Sequence, residues 1–320
     1  MAPAKKKTLI IVIFVIILII IASIICVIKY MSGFDKEHLV PKYMILVPQA
    51  GTIDMCCIVL TCIRYAKKHN RVLIIDSTDT WFNDDFNEYI NIHSPQVYTG
   101  AADTITHKIN ALTTYPPNVN IEKLSDVVYD KQTKAYTVNG TSLSFPLNQD
   151  YDARIVVYSN GRQPGASLSE LLEMCTFSPK VLDVFKSRRA QLPYKYVSVH
   201  IRNTDYDSDV PKFIEENNNV LEYKTIFLAS DNKNSIDEMK SKYGSNIITF
   251  AYIPDNNGKP IHEGYKRTKE ESRLYNVDTF VDILLLAAAD EYYYSCKKSG
   301  FSQAILELRS KPALLSRLLK

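Results

Sequence analysis

In KYVSVHIRNTD, Lys195 to Asp205, an alternating apolar run (Tyr196, Val197, Val199, Ile201) ends in a dense polar cluster of His200, Arg202, Asn203, Thr204 and Asp205. Alternation of this kind marks a strand. In open α/β folds, a strand that delivers an Arg and a His at its carboxyl end builds one wall of a ligand crevice. Arg suits phosphate there, because its planar fork donates paired, charge-assisted hydrogen bonds. The competing reading is a strand end whose charges are simply solvated, and the stretch alone does not separate the two.

Outward from this strand the α/β alternation continues. TIFLAS (Thr225–Ser230) reads as the next strand, followed by a polar helix near 235–243 and a strand at NIITF (Asn246–Phe250). Polar residues 254–272 read as a loop, 277–289 as a strong helix, EYYYS (Glu291–Ser295) as a strand, and a last helix opens near Ser302. On the other side, YMILV (Tyr43–Val47) and VLIID (Val72–Asp76) bracket an apolar helix. Asp54 is its expected N-cap, and Arg64, Lys67 and Lys68 lie at its end, where the helix dipole favours cations. Such a β-α-β unit makes a parallel sheet. RIVVYS (Arg154–Ser159) adds a strand, two helices are expected near 168–175 and 179–190, and 80–150 should hold short strands and long loops. The fold class is therefore α/β, in two Rossmann-like halves, 31–192 and 193–320, behind an N-terminal segment, 1–30.

Thr8 to Ile28 is uncharged and rich in Ile and Val. At about 1.5 Å per residue it spans roughly 30 Å, the thickness of a bilayer's hydrocarbon core. A cleaved signal peptide would have a shorter apolar core and a small-residue cleavage site, and Ala22-Ser23 is a weak one. Lys5, Lys6 and Lys7 precede the run, whereas Lys29 stands against Asp35 and Glu37 after it. The positive-inside bias then makes this a single-pass, type II anchor with its body in a lumen, or outside, and a lumenal body is expected in the Golgi or ER. The sequon Asn139-Gly140-Thr141 is compatible with that side.

Net charge is +3, and three of the lysines lie in the tail, so the body is near neutral and carries no concentrated basic face for nucleic acid. Of the six cysteines, Cys26 is in the apolar run, and Cys56, Cys57 and Cys62 share one apolar stretch where buried thiols are the default. No C-x-x-C pair appears, so zinc and thioredoxin-like chemistry are disfavoured; a Cys175–Cys296 bridge is open.

Three further motifs bear on chemistry. In SCKKSGFSQAILELRS a strand ends, Gly300 allows a tight turn and Ser302 opens a helix, whose free N–H groups would favour phosphate, helped by Lys297 and Lys298. The alternative is an ordinary Ser cap with solvated lysines. Asp282 sits in VDTFVDILLLAAAD, where a carboxylate on an apolar flank could receive the paired N–H groups of a guanine edge, or could be a plain surface charge. Asp205, Asp207, Asp209 and Glu216 match most of an EF-hand's spacing, but Val210 stands where the loop needs Gly and a strand precedes it, which argues against calcium. Asp207-Ser208-Asp209 is also a D-x-D triplet, a type that holds a metal on sugar-nucleotide pyrophosphates in some transferases.

HIRNTD resembles the H-x-R-x-T-D signature of the superfamily of α1,6-fucosyltransferases, nodulation fucosyltransferases and protein O-fucosyltransferases. In the same order, GTIDMCCIVLTCIRYAKKHNRVLIIDS resembles their first β-α-β unit, IFLASDN their A-[ST]-D-[DN] strand end, and DILLLAAADEYYYS with SGFSQAILEL their stretch ending in F-S-S-Q. The likeness spans roughly 43–310 and is patchy between 80 and 190. It implies a GT-B-like, metal-independent, inverting enzyme that needs no cofactor and uses GDP-fucose as donor substrate. Arg202 would bind the pyrophosphate, His200 and Asp282 would read the guanine, and Ser302 and Gln303 would hold a phosphate at the helix start. The catalytic carboxylate has no unambiguous match, and Asp207 and Asp209 are the nearest. Where the α1,6 enzymes carry a second Arg and a Lys, this chain has Asn203 and Tyr206.

The resulting expectation is a membrane-anchored glycosyltransferase moving fucose onto a glycan or glycoprotein hydroxyl. The alternatives are a transferase for another nucleotide sugar, and an inactive membrane-tethered binding protein on the same scaffold.

Overall fold

The run around Tyr43–Val47 forms β1 (Lys42–Leu46), which leads through α1 (Thr52–Lys68) into β2 (Arg71–Ile75). β1 and β2 pair in parallel, with Leu46 opposite Ile75, as a β-α-β unit requires. The computed structural model describes residues 20, 21, 23, 41–100, 112–161, 165–205, 208–253, 267–295 and 299–320. Its contacts divide the chain into Met1–Pro41 and Lys42–Lys320. In the first unit, residues 20, 21 and 23 are helical; the rest of the apolar run 8–28 lies outside the described residues, as do Asp207, Lys297 and Lys298. Among the described residues no helix is long and apolar enough to cross a membrane.

The remaining strands of the first half are short: β3 (Ile90–Ile92), β4 (Val97–Thr99), β5 (Thr114–Tyr115), β6 (Val128–Asp130), β7 (Ala135–Val138) and β8 (Thr141–Ser142). β9 (Ile155–Tyr158) then completes a five-stranded parallel sheet in the order β4-β2-β1-β9-β5. Its central strands are apolar on both faces because both faces are covered. Ile45, Val47, Ile74, Ile155 and Val157 point to one side, where Val119, Ile121, Leu124, Val138 and Leu143 from the irregular 112–143 segment pack. Met44, Leu46, Leu73, Ile75 and Val156 point to the other, toward α1. The β7–β8 hairpin turns at Asn139 (φ 49°) and Gly140 (φ 76°), which places the sequon in an exposed turn.

α2 (Leu168–Glu173), β10 (Cys175–Phe177) and α3 (Pro179–Arg189) lead to the second sheet. β11 (Val197–Ile201), β12 (Ile226–Ser230), β13 (Ile247–Ile248) and β14 (Glu291–Tyr294) are all parallel, in the order β13-β12-β11-β14. Its helices are α4 (Val210–Leu221), α5 (Lys233–Tyr243), α6 (Lys269–Ala288), α7 (Gly300–Arg309) and α8 (Pro312–Leu318). α6 is apolar nearly all round from Val277 onward, and it is buried accordingly. Its Phe280 meets Phe177 and Tyr89, so one core runs between the two sheets.

Several boundaries differ from the sequence expectations. α4 was not anticipated: the polar stretch EENNN hides a stripe of Val210, Phe213 and Leu221 that packing buries. Gly51, not Asp54, precedes α1, and Asp54 lies in its first turn. α6 starts at Lys269 rather than near 277, because Thr268 and Glu271 form a capping box ahead of a polar, exposed first turn. Ser302 does not open α7. Ser299 is the N-cap, Gly300 is helical rather than a turn, and Ser302 sits inside the first turn. Cys56, Cys57, Cys62 and Cys175 are buried and in no disulfide, and Cys296 lies outside the described residues.

Candidate active site

Parallel strands leave unpaired backbone and side chains at their carboxyl ends, and β11 and β12 end here side by side. His200 is the last-but-one residue of β11 and is 4% exposed. Its Nδ1 lies 2.9 Å from Ser302 Oγ, and its ring lies 4.7 Å from that of Phe301. The first turn of α7 is thereby docked on the strand that carries Arg202. β14 is tied to the same place: Ser295 N donates to the His200 carbonyl at 3.0 Å, and Arg202 N donates to Ser295 Oγ at 3.0 Å. Ile53, at the start of α1, lies 3.8 Å from where a Cβ on Gly300 would stand, so two helix N-termini meet beside this strand end.

The Arg202 guanidinium is forked onto Asp205, with Nε to Oδ1 at 2.7 Å and Nη2 to Oδ2 at 2.9 Å, and its Nε lies 3.2 Å from Asp231 Oδ2. Asp231 also accepts from Asn203 N at 2.8 Å and from Thr204 Oγ1 at 2.7 Å. Asp231 lies within IFLASDN, a stretch that by itself gives it no role. The signal that could have found it is a carboxylate at the end of the neighbouring parallel strand, level with the Arg. Asn203 is committed elsewhere, with Nδ2 on Ser235 Oγ at 3.0 Å and Oδ1 accepting from Ser208 N at 3.2 Å. Asp209 is exposed and caps α4, accepting from Lys212 N at 3.0 Å. Gln303 is exposed on the first turn of α7.

Burial, reinforced by the Arg202 charge, pushes His200 down to about 3. The ring is therefore neutral at physiological pH and acts as a hydrogen-bonding group, not a cation. The unfolded chain takes up this proton near pH 6.5 and the folded chain only near 3, so stability falls as pH drops through that window. Between pH 7 and 5 the loss from this one group is about 2 kcal/mol. Denaturant titrations at the two pH values, with and without His200→Gln, measure it; a variant as acid-sensitive as the parent would contradict the assignment.

Asp282 faces inward from α6, 8% exposed, and its Oδ1 is sealed from solvent without a hydrogen-bond partner among the described residues. Burial, then the charge of Asp278 one turn earlier, pushes its carboxyl well above the usual range, with Arg188 opposing them. Arg188, from α3, ion-pairs with Asp278. Tyr275, half-buried on α6, has its phenol pushed up to about 12 by burial, and the charges of Arg267, Asp231, Arg202 and Asp282 act on it as well. The structure thus joins Ser302 to His200, two residues before Arg202, while Asp282 makes no hydrogen bond or ion pair to them among the described residues. Arg267 and Tyr275 were not anticipated, having no motif around them.

The architecture matches that of solved fucosyltransferases. The NodZ α1,6-fucosyltransferase soaked with GDP-fucose superposes with a TM-score of 0.57 at 13% identity, over 84% of this chain and 92% of that one. Fucosyltransferase NodZ from Bradyrhizobium gives 0.56 at 12%, over 84% and 93%. POFUT1 in complex with GDP-fucose gives 0.50 at 14%, over 84% and 95%. No family model and no curated protein matches the chain. At these identities the likeness is one of fold.

Proposed function

We propose that the chain is a glycosyltransferase that moves fucose from GDP-fucose to a glycan or protein hydroxyl, on a GT-B-like pair of Rossmann halves held to a membrane by 8–28 with the body lumenal. The observation that carries this reading is the contact between two site elements far apart in sequence: Ser302 of α7 bonds to His200, two residues before Arg202. A guanidinium and a helix N-terminus beside one strand end form a diphosphate site. The fold likeness to enzymes crystallised with GDP-fucose supports the choice of donor.

In the proposed reaction the acceptor hydroxyl oxygen attacks the anomeric carbon as the bond from that carbon to the β-phosphate oxygen breaks. The bonding pair leaves with GDP, and the hydroxyl proton passes to a carboxylate. Arg202 and the α7 N–H groups stabilise the charge that grows on the phosphate. The candidates for that carboxylate are Asp209, which caps α4 through Oδ1, and Asp207, which lies outside the described residues. Single displacement inverts the anomeric centre. Thermal shifts of the full chain with GDP, UDP and CMP, followed by labelled GDP-fucose with glycan and peptide acceptors, test the reading. Stabilisation by GDP and labelled product are expected; absence of both defeats it.

Asp282 supplies a sharper test. A carboxyl whose folded pKa is raised is a stabiliser only below its unfolded value near 3.8, and that contribution is lost as pH rises. Asp282→Asn should therefore melt higher than the parent at pH 7, by about 1–3 kcal/mol, with the gap widening from pH 4 upward. If Asp282 reads guanine, saturating GDP reverses the order. A variant less stable than the parent without nucleotide would overturn this account of the buried acid.

A further inference from the structure

The triplet Asn139-Gly140-Thr141 takes no part in the donor site, and it is the single N-x-[ST] sequon of the chain. Such triplets arise by chance, so the place of this one in the fold decides whether it can carry a glycan. It forms the tip of the β7–β8 hairpin, where Val138 pairs with Thr141 across the turn. Asn139 and Gly140 both have positive φ, the tight hairpin turn that an Asn-Gly pair favours. Both are exposed, and among the described residues no atom lies within 4 Å of where a Cβ on Gly140 would stand. The strands beneath are held: Val138 is 1% exposed, Leu143 is fully buried, and both share a core with Ile45 and Val157 of the first sheet. An anchored tip with open space beyond it accepts a bulky polar substituent without moving any core residue.

Two neighbours of the tip bear on what a glycan there would do. Tyr136 is the residue of this hairpin that borders the strand carboxyl ends. Its hydroxyl lies 3.4 Å, and the Gln49 carbonyl 3.5 Å, from where a Cβ on Gly161 would stand. Asn139 is three residues further along, about 10 Å of strand, so a glycan on it is separate from that end. On the other side of β7, β6 forms an edge of its three-stranded sheet. Val128, opposite Thr137, is 59% exposed there, and Tyr129, opposite Tyr136, is 51% exposed. An exposed apolar edge is a template for pairing with another chain, and a hydrated glycan two residues along from Thr137 would stand beside it.

We propose that Asn139 is a site of N-linked glycosylation, its glycan standing at the hairpin tip beside the β6 edge and outside the donor site. In the attachment step the Asn139 side-chain nitrogen bonds to C1 of a lipid-linked oligosaccharide as the bond from C1 to the lipid diphosphate oxygen breaks. The bonding pair leaves with the lipid diphosphate, and the nitrogen's proton passes to a base of the enzyme that performs the transfer. The assignment rests on the lumenal placement of the body proposed above, and not on the choice of sugar donor.

Expression of the full chain in cultured animal cells tests it, with Asn139→Gln, Thr141→Ala and a control. The control adds Lys131→Asn to the Asn139→Gln chain, which builds a triplet with Thr133 in the exposed β6–β7 turn and reports the side of the membrane independently. The parent should migrate as a heavier form that peptide N-glycosidase collapses, leaving an Asp at position 139 in the released peptide. Asn139→Gln and Thr141→Ala should lack that form. Asn139→Gln should keep the parent's thermal shift with GDP and self-associate more in sedimentation, because the β6 edge is uncovered. If the control is glycosylated and the parent is not, the Asn139 assignment alone falls. If neither is modified, the lumenal placement falls with it, while nucleotide binding still judges the glycosyltransferase reading separately. A GDP response lost in Asn139→Gln would overturn the separation of the tip from the donor site, and unchanged self-association would overturn the part given to the β6 edge.

Discussion

Arg202→Ala is expected to lower kcat/KM for transfer from GDP-fucose by about 10²- to 10³-fold, the loss that follows deletion of a preorganised donor to developing charge. The guanidinium is already oriented before donor arrives: Asp205 holds Nε and Nη2 at 2.7 and 2.9 Å, and Asp231 lies 3.2 Å from Nε. Little reorganisation remains to be done in the transition state. The same carboxylates make the Ala variant worse than a simple vacancy, since Asp205 and Asp231 would face an incoming diphosphate without their counter-ion. Arg202→Lys should recover only part of the rate, because an ammonium cannot reproduce the fork. Initial rates with labelled donor, on variants that melt near the parent, measure the effect. Activity within a few-fold of the parent in Arg202→Ala would remove this residue from the donor site.

Arg71→Met should cost about 3–5 kcal/mol of stability, the range for breaking a buried ion pair by deleting one partner. For a unit of this size that is a drop in Tm of roughly 5–9 °C. Arg71 is fully buried at the start of β2. Nε and Nη2 donate to Asp150 Oδ1 at 2.9 and 2.7 Å, Nη1 to the carbonyls of Tyr43 and Ala153 at 3.2 and 3.0 Å, and Nη2 to Tyr151 O at 2.7 Å. It therefore binds together β1, β2 and the segment that enters β9, at the end of the sheet away from the strand carboxyl ends. Burial pushes the Asp150 carboxyl up, but the hydrogen bonds and charge of Arg71, with Lys42, outweigh it and hold the group at about 2. That contribution is present above the ordinary carboxylate range and is lost as pH falls from about 4 toward 2, so the gap between parent and Arg71→Met should narrow over that interval. Asp150 is 32% exposed, and solvent screening keeps its share below the whole of the effect. A loss under about 1 kcal/mol would show that the strand ends hold together without this residue.

The strands were legible where burial on both faces leaves no alternative composition. YMILV, VLIID, RIVVYS, YVSVHI and IFLAS are short apolar runs of the kind that only an enclosed sheet accepts. Helix beginnings were less legible. The α6 start was written in Thr268 and Glu271 but masked by the polarity of the first turn, and α4 was hidden because Glu215, Glu216 and Asn219 face solvent while three apolar residues hold it to the sheet. At α7 the motif's Ser302 resembles a cap in sequence, but Ser299 holds that position and Ser302 is spent on His200. Of the site, His200, Arg202 and Ser302 came from motifs. Asp231 did not, because it matters only through a neighbour distant in the chain.

By itself the sequence determined the parallel α/β character and the strand that delivers Arg202, because apolar periodicity and β-α-β order are local properties of the chain. Only the tertiary structure decided the electrical state of that strand end. Asp231 comes from the end of the next strand and Ser302 from a helix after the last strand. Charge interactions depend on distance in space and on the water excluded around them, and neither quantity is written in the order of residues.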